Sequence, residues 1–415
     1  MLPIVIAIVL AAVDDGLPVR APQEVGMSAE RLAVIDRVVR RGVAAHGFPG
    51  ASVVIGRRGA IVWQRGFGRF DWREDSRVVD PRTTMYDLAS LTKVVATTTA
   101  IMILYDAGKL SLDDPIARYL PAFAGGQKAR VTIRQLLAHR GGLPAGRDVW
   151  RRARSAREAR SMVLATPLVS TPGSRQLYSD VGPDILGFVV EAVSKEPLDD
   201  FVMRHVFRRL GMRSTTFRPA VALRSRIPPT EVAPPRGYPL RGEVHDENAY
   251  VLGGVAGHAG LFSTAADLSI FAQMMLNGGE YNGVRIVSDS TVALFTRRAA
   301  GSRGLGWEMC EGAGNCGHNL SASAYGHTGF TGTSLWIDPE REMFVIMLTN
   351  WVHMDPRSVN DPFAVLPDVR ADVVDVAALS IIDGPAGAPP MPVAFRADRA
   401  LGWGLPHPGV SLPDA

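Results

Sequence analysis

Residues 87–99 read "DLASLTKVVATTT", and the spacing of one serine and one lysine within them decides how the rest of the chain is read. Lysine is scarce: Lys93, Lys109, Lys128 and Lys195 are the only four among 45 basic residues. None of the other three follows a serine by three positions. Positions i and i+3 of a helix share a face, so Ser90 and Lys93 touch if the segment is helical. A serine hydroxyl is a poor nucleophile until a neighbouring base takes its proton. A lysine serves as that base only if burial or nearby cations bring its pKa from about 10.4 toward neutrality. Leu91, Val94, Val95 and Ala96 supply an apolar setting in which an idle ammonium would be costly. The expectation is therefore a Lys93 amine whose pKa burial has lowered. By itself, Ser-x-x-Lys also arises by chance in proteins without such chemistry.

Two stretches downstream change its weight. In "TPGSRQLYSDVGPDILG" (171–187) a Pro-Gly turn leads to Tyr178-Ser179-Asp180 just before a helical pattern. A phenol there can relay a proton between nucleophile and leaving group. In "YGHTGFTGTSLWIDP" (325–339) a His-Thr-Gly stands at the edge of a strand pattern. Small Thr328 and Gly329 let a substrate backbone approach closely, and His327 can donate hydrogen bonds.

The composition fits a globular chain with a large core, of two packed units, and excludes collagen-like or disordered classes. A net charge of +4 over 415 residues is small. The one basic run, "GRDVWRRARSAREARS" (146–161), reads as a solvated helix face or lid, so no nucleic-acid partner is expected. The apolar run from Leu2 to Val13 is shorter than the ~20 residues that span a bilayer. It is similar to the apolar core of an export signal, although no basic residue precedes Arg20. We expect residues 1–13 to be an export-signal remnant and the protein to be periplasmic or secreted, with a cytoplasmic location as the alternative. No stable membrane insertion is expected. Cys310 and Cys316, close together in "CEGAGNC", can close a small disulfide. The G-x-G-x-x-G in the same loop lacks the strand-helix context of a nucleotide site.

Apolar residues at helical spacing mark a helix over 28–46, and "ASVVIGRRGAIVWQRGFG" (51–68) reads as a hairpin. From about 87 to 299 the pattern is helical with Gly/Pro loops. Strand, Asp-Pro turn and strand return at 333–350, and a last helix is expected over 370–382. Strands from both chain ends with helices between them predict an α+β fold: one sheet domain (14–86 and 300–383), an inserted helical domain (87–299), and a tail (384–415).

Taken in this order, Ser-x-x-Lys, Tyr-Ser-Asp and His-Thr-Gly resemble the serine β-lactamase/penicillin-binding-protein superfamily. The branch most similar is the class C-like one, with AmpC-like β-lactamases, D-Ala-D-Ala carboxypeptidases and family VIII carboxylesterases. The stretches "LASLTKVVATTTAIMILYDAGKLSLDDPIARYLPAF", "TIRQLLAHRGGLP" and "GHAGLFSTAADLSIFAQMMLNGG" look like that family as well, over roughly residues 28 to 382. The resemblance implies a β-lactamase/transpeptidase-like fold, Ser90 as acylated nucleophile, and Lys93 accepting or holding its proton. It implies that Tyr178 shares the acid/base work and that the N–H groups of Ser90 and Phe330 form the oxyanion hole. His327, Thr328, Gly329 and Asp180 would meet the substrate, a small ester, β-lactam or peptide. No metal or other cofactor is implied, and "HDENA" (245–249) and "GHAG" (257–260) read as structural loops beside the cleft.

Two departures bear on substrate. Asp180 stands where class C β-lactamases carry asparagine, and an ionised carboxylate cannot donate to a β-lactam side-chain carbonyl. His327 stands where they carry lysine, which weakens attraction to a β-lactam carboxylate. Both favour an esterase, or a peptidase whose substrate offers a cationic amine to Asp180. The alternatives are a class C-like β-lactamase or DD-carboxypeptidase, and a non-catalytic binder of penicillin or cell-wall fragments.

Overall fold

Residues 16–356, 362–384, 387–396 and 398 are described by a computed structural model. The expected export-signal remnant (1–13) and most of the tail beyond 384 lie outside them.

The hairpin expected at 51–68 pairs β1 (Gly50–Arg57) with β2 (Ala60–Gly68). Arg58 and Gly59 both take positive φ (49° and 79°), the geometry of a turn whose twist matches its strands. Late in the chain come β3 (Glu308–Met309), β4 (Tyr325–Gly329), β5 (Thr333–Asp338) and β6 (Met343–Thr349). The order β2-β1-β6-β5-β4-β3, antiparallel throughout, joins the two ends of the chain in one sheet, with Val54 opposite Ile346.

Alternation along these strands divides the interior. Val53, Ile55, Val345 and Met347 face α1 (Val34–Ala44) and the long last helix α5 (Pro362–Leu379). Val54, Ile346 and Leu348 face the opposite way, into a core shared with the inserted helices. Each such fully buried aliphatic side chain contributes about 1.5–3 kcal/mol. Both sheet faces are covered, so β1, β5 and β6 are buried at every position. The last helix begins well before residue 370, running through Pro367.

Within the insertion, the helix after Ser90 departs from regular geometry. A short tight turn (Ala89–Leu91) leads into a π-helical stretch (Lys93–Thr98), then α2 (Thr99–Asp106). Wide single turns of this kind occur often at functional sites. The other helices that matter are α3 (Val181–Ser194) and α4 (Ala265–Leu276), the latter packed on β6. The basic run forms part of a helix capped by Ser155, with Arg160 paired to Glu191.

Cys310 and Cys316 are joined as a disulfide beyond β3. Closing so short a loop restricts the unfolded chain, so a Cys310→Ser, Cys316→Ser double variant is expected to lose about 2 kcal/mol of unfolding free energy. Urea denaturation of the variant beside the oxidised parent measures this.

Candidate active site

The turn before Ser90 is held in an unfavourable conformation by two independent sets of bonds. Ala89 has φ of +45°, a region that costs a residue with a Cβ about 1–2 kcal/mol. Asp87 offsets that cost: one carboxylate oxygen accepts from the Ala89 N–H (2.9 Å), the other from the His245 N–H (2.6 Å). From the opposite side, Thr331 Oγ1 donates to the Asp87 carbonyl (2.6 Å) and Thr333 Oγ1 to the Leu88 carbonyl (2.9 Å). The β4–β5 turn is thereby fastened to the nucleophile loop. Gly329 must be glycine at this seam, since a Cβ would stand 2.1 Å from Thr333 Oγ1 and 2.4 Å from the Leu88 carbonyl oxygen. Among the described residues, no acceptor takes the Ser90 or Phe330 N–H.

Ser90 and Lys93 meet as their spacing predicts, with Lys93 Nζ 2.6 Å from Ser90 Oγ. The electrostatics differ from the expectation. Burial does oppose the charge on Lys93, which is 2% exposed. Asp180, 2.8 Å from Nζ, and Tyr178 outweigh that penalty and hold the pKa above the ordinary lysine range. Lys93 is an ammonium that donates to Ser90, with the His258 carbonyl as a further acceptor at 3.4 Å. This corrects the reading of Lys93 as a burial-lowered amine. One oxygen of Asp180 is thus engaged by Lys93, while the side chain remains 37% exposed on the cleft wall.

Tyr178 lies among rings and cations. Its ring centroid is 4.7 Å from that of His139 and 5.9 Å from that of His327. Lys93 Nζ and Arg303 Cζ are 5.0 and 5.1 Å from it. Burial, reinforced by Arg303 and Lys93, keeps His139 neutral, pushed down to about 3, and its Nδ1 accepts from the Ser179 N–H. The same causes hold His327 well below the ordinary histidine range. Its Nδ1–H donates to the Thr328 carbonyl at 2.7 Å, leaving Nε2 as a buried acceptor without a partner. Where the sequence suggested a donor to substrate, the free nitrogen of His327 is an acceptor.

The loops expected to be structural do border the cleft, which encloses about 710 Å3. His258 is clamped between two carboxylates, Nδ1 on Asp184 (2.7 Å) and Nε2 on Asp246 (2.9 Å). Burial disfavours its charge, but the two carboxylates prevail and raise its pKa well above the ordinary range. The clamp joins α3 and the 246 loop to the 257–261 loop, which rests on the nucleophile helix through Thr97 Oγ1 and the Gly257 carbonyl. Among the described residues no cluster of histidine, cysteine and carboxylate side chains could hold a metal ion.

Sequence reasoning missed Arg303, Arg370 and His139. Arg303 borders the cleft with only 11% of its side chain exposed and its Nε and Nη1 without partners among the described residues; Glu308 is 3.7 Å from Nη2. In a chain so rich in arginine nothing singles these two out. His139 had a signal, the short "HRGGLP" turn in which it takes φ of +53°.

His258 carries a testable pH dependence. Its folded pKa is raised, so its stabilising contribution is complete below about pH 6.5 and is lost as pH rises through the folded value. His258→Gln, which removes the cation held between the Asp184 and Asp246 carboxylates, is expected to cost about 3 kcal/mol at pH 6. The gap from the parent should narrow toward alkaline pH, as read by urea denaturation at pH 6 and pH 9.

Comparison with known proteins agrees with this geometry. The Beta-lactamase family model matches residues 35–368. A protein of Escherichia coli K12 named "Putative D-alanyl-D-alanine carboxypeptidase" is 36% identical over 373 residues, covering 80% of this chain and 85% of its own. Among solved structures, EstCE1, a hydrolase with promiscuous acyltransferase activity, superposes with a TM-score of 0.67 at 23% identity, over 84% of this chain and 99% of its own. A family VIII carboxylesterase gives 0.65 at 21% identity, over 85% and 98%. The three motifs, their meeting in one cleft, and a family match along most of the chain place this protein in the Beta-lactamase family of the serine β-lactamase/penicillin-binding-protein superfamily, as a hydrolase.

Proposed function

We propose that the protein hydrolyses small esters or amides through an acyl-enzyme on Ser90, and that it favours substrates with a carboxylate near the scissile bond. One observation carries the chemistry: a buried ammonium that touches Ser90 Oγ at 2.6 Å and a counter-charge, Asp180, at 2.8 Å. An ammonium has no lone pair and cannot take the serine proton. The proton instead passes to the Tyr178 oxygen as that oxygen gives its own proton to the leaving group, while Ser90 Oγ bonds to the carbonyl carbon. Lys93 steadies the negative charge on both oxygens through the transfer. The Ser90 and Phe330 N–H groups receive the carbonyl oxygen as it becomes an oxyanion. In deacylation water takes the place of serine: its proton goes to Tyr178, and the Tyr178 proton returns to Ser90 Oγ.

The preference for a carboxylate rests on Arg303 and Arg370, guanidinium groups on the cleft wall with unpaired N–H donors. Planar guanidinium groups match carboxylates in charge and geometry. The name of the Escherichia coli relative points the same way, toward D-alanyl-D-alanine peptides. A neutral His327 in place of a lysine supports the second reading, a general carboxylesterase. The intact Ser90, Lys93 and Tyr178 set speaks against a binder without catalysis. The paired cysteines suit an oxidising compartment, and we propose a periplasmic or secreted location on that ground.

Mass spectrometry after fluorophosphonate treatment should place one adduct on Ser90. Ser90→Ala should lose both the adduct and about 10^3-fold or more of turnover. An adduct elsewhere, or undiminished Ser90→Ala activity, defeats the mechanism. For substrate class, D-alanyl-D-alanine-type esters with a free carboxylate should be preferred over their amidated counterparts. Arg303→Ala should erase about a tenfold preference in kcat/KM, the size of one charge-assisted hydrogen bond. Equal turnover of both by the parent would favour the general esterase.

A further inference from the structure

Arg370, on α5, is 7% exposed and borders the cleft. Its Nη2 donates to two carbonyls at 2.9 Å each, those of Gly329 and Thr333, at either end of the turn joining β4 to β5. Burial pushes its guanidinium down to about 9, with Glu308 acting in the opposite direction. An apolar side chain would pack α5 on the sheet without that desolvation penalty, so packing alone does not account for an arginine here.

The Gly329 carbonyl and the Phe330 N–H belong to one planar peptide unit and point in opposite directions. Whatever fixes that oxygen also fixes the direction of that N–H. Without a side chain, Gly329 has wide backbone freedom, so this peptide plane would otherwise be free to rotate. The Gly332 N–H at 3.0 Å and then Arg370 both donate to its oxygen. The second is a cation, and a cation on a peptide oxygen draws electron density from the nitrogen and strengthens its N–H as a donor.

We propose that Arg370 is a positioning residue for the oxyanion hole, gripping the Gly329 carbonyl so that the Phe330 N–H is aimed at, and polarised toward, the developing oxyanion. The inference rests on the acyl-enzyme reading above. It also gives α5, far from Ser90 in sequence, a direct bearing on the acylation step.

The test uses a neutral p-nitrophenyl ester and its thiono analogue, in which sulfur replaces the carbonyl oxygen. Neither carries a carboxylate, so substrate binding by Arg370 is not probed. N–H donors stabilise an oxyanion far better than the larger, more diffuse thiolate-like centre. In Arg370→Met, kcat for the oxygen ester should fall about 10- to 100-fold, short of the full loss of an oxyanion donor, with KM nearly unchanged. The thiono ester should be slowed much less, so that the oxygen-to-sulfur rate ratio drops about tenfold. Arg370→Lys, whose ammonium can reach one carbonyl, should recover part of the ratio, and it carries the test if the methionine variant does not fold. A general loosening of the fold would slow both esters equally; an unchanged ratio, or a change in KM alone, overturns the role of Arg370. If the parent forms no adduct on Ser90, the acyl-enzyme reading falls and this inference falls with it. If the adduct forms and the ratio is unchanged, Arg370 alone is excluded.

Discussion

A lysine ammonium taken out of water must find negative charge or give up its proton, and the site is arranged around the first outcome. Lys93 is 2% exposed and lies within 2.8 Å of Asp180. That pairing makes the lysine a fixed cation, which is why the proposed mechanism assigns the mobile proton to Tyr178. It also accounts for the neutral histidines on either side of the phenol, whose protonation Lys93 and Arg303 oppose after burial has already disfavoured it. A carboxylate in the position usually occupied by an amide alters the charge state of the residue beside the nucleophile as well as the surface offered to substrate.

Around this pair the protein stacks constraints that come from distant parts of the chain. The seam between the β4–β5 turn and the loop before Ser90 depends on two threonine hydroxyls and on a glycine that no larger residue could replace. The strained Ala89 persists because Asp87 bonds its N–H while being bonded in turn by His245. The His258 clamp supports the far side of the nucleophile helix with a buried cation between two carboxylates. Each device converts buried polar groups, which would be costly if unpaired, into restraints on the reacting atoms.

Much of this architecture was legible locally. The hairpins at 50–68 and 333–349 followed from β-rich apolar runs around turn chemistry, and α3 from its apolar stripe. Lys93 stood out because lysine is scarce and this one follows Ser90 by three positions; Tyr178 and His327 stood out because their motifs follow in the order of a known family. Arg303 and Arg370 stayed hidden: among 41 arginines, only three-dimensional proximity distinguishes the two that line the cleft. The contact of Asp180 with Lys93 stayed hidden for a related reason. A linear reading cannot tell that a carboxylate 87 positions after a lysine lies beside it.

The sequence by itself determined the family, the α+β class, the two hairpins and the approach of Lys93 to Ser90, since each rests on short-range pattern and residue chemistry. Tertiary structure alone decided the charge on Lys93, the acceptor character of His327, the pairing of Asp180 with Lys93 and the grip of Arg370 on the Gly329 carbonyl. The physical reason is that protonation states and hydrogen-bond roles depend on burial and on the nearest charges. Those charges are brought together only when both ends of the chain meet in one sheet.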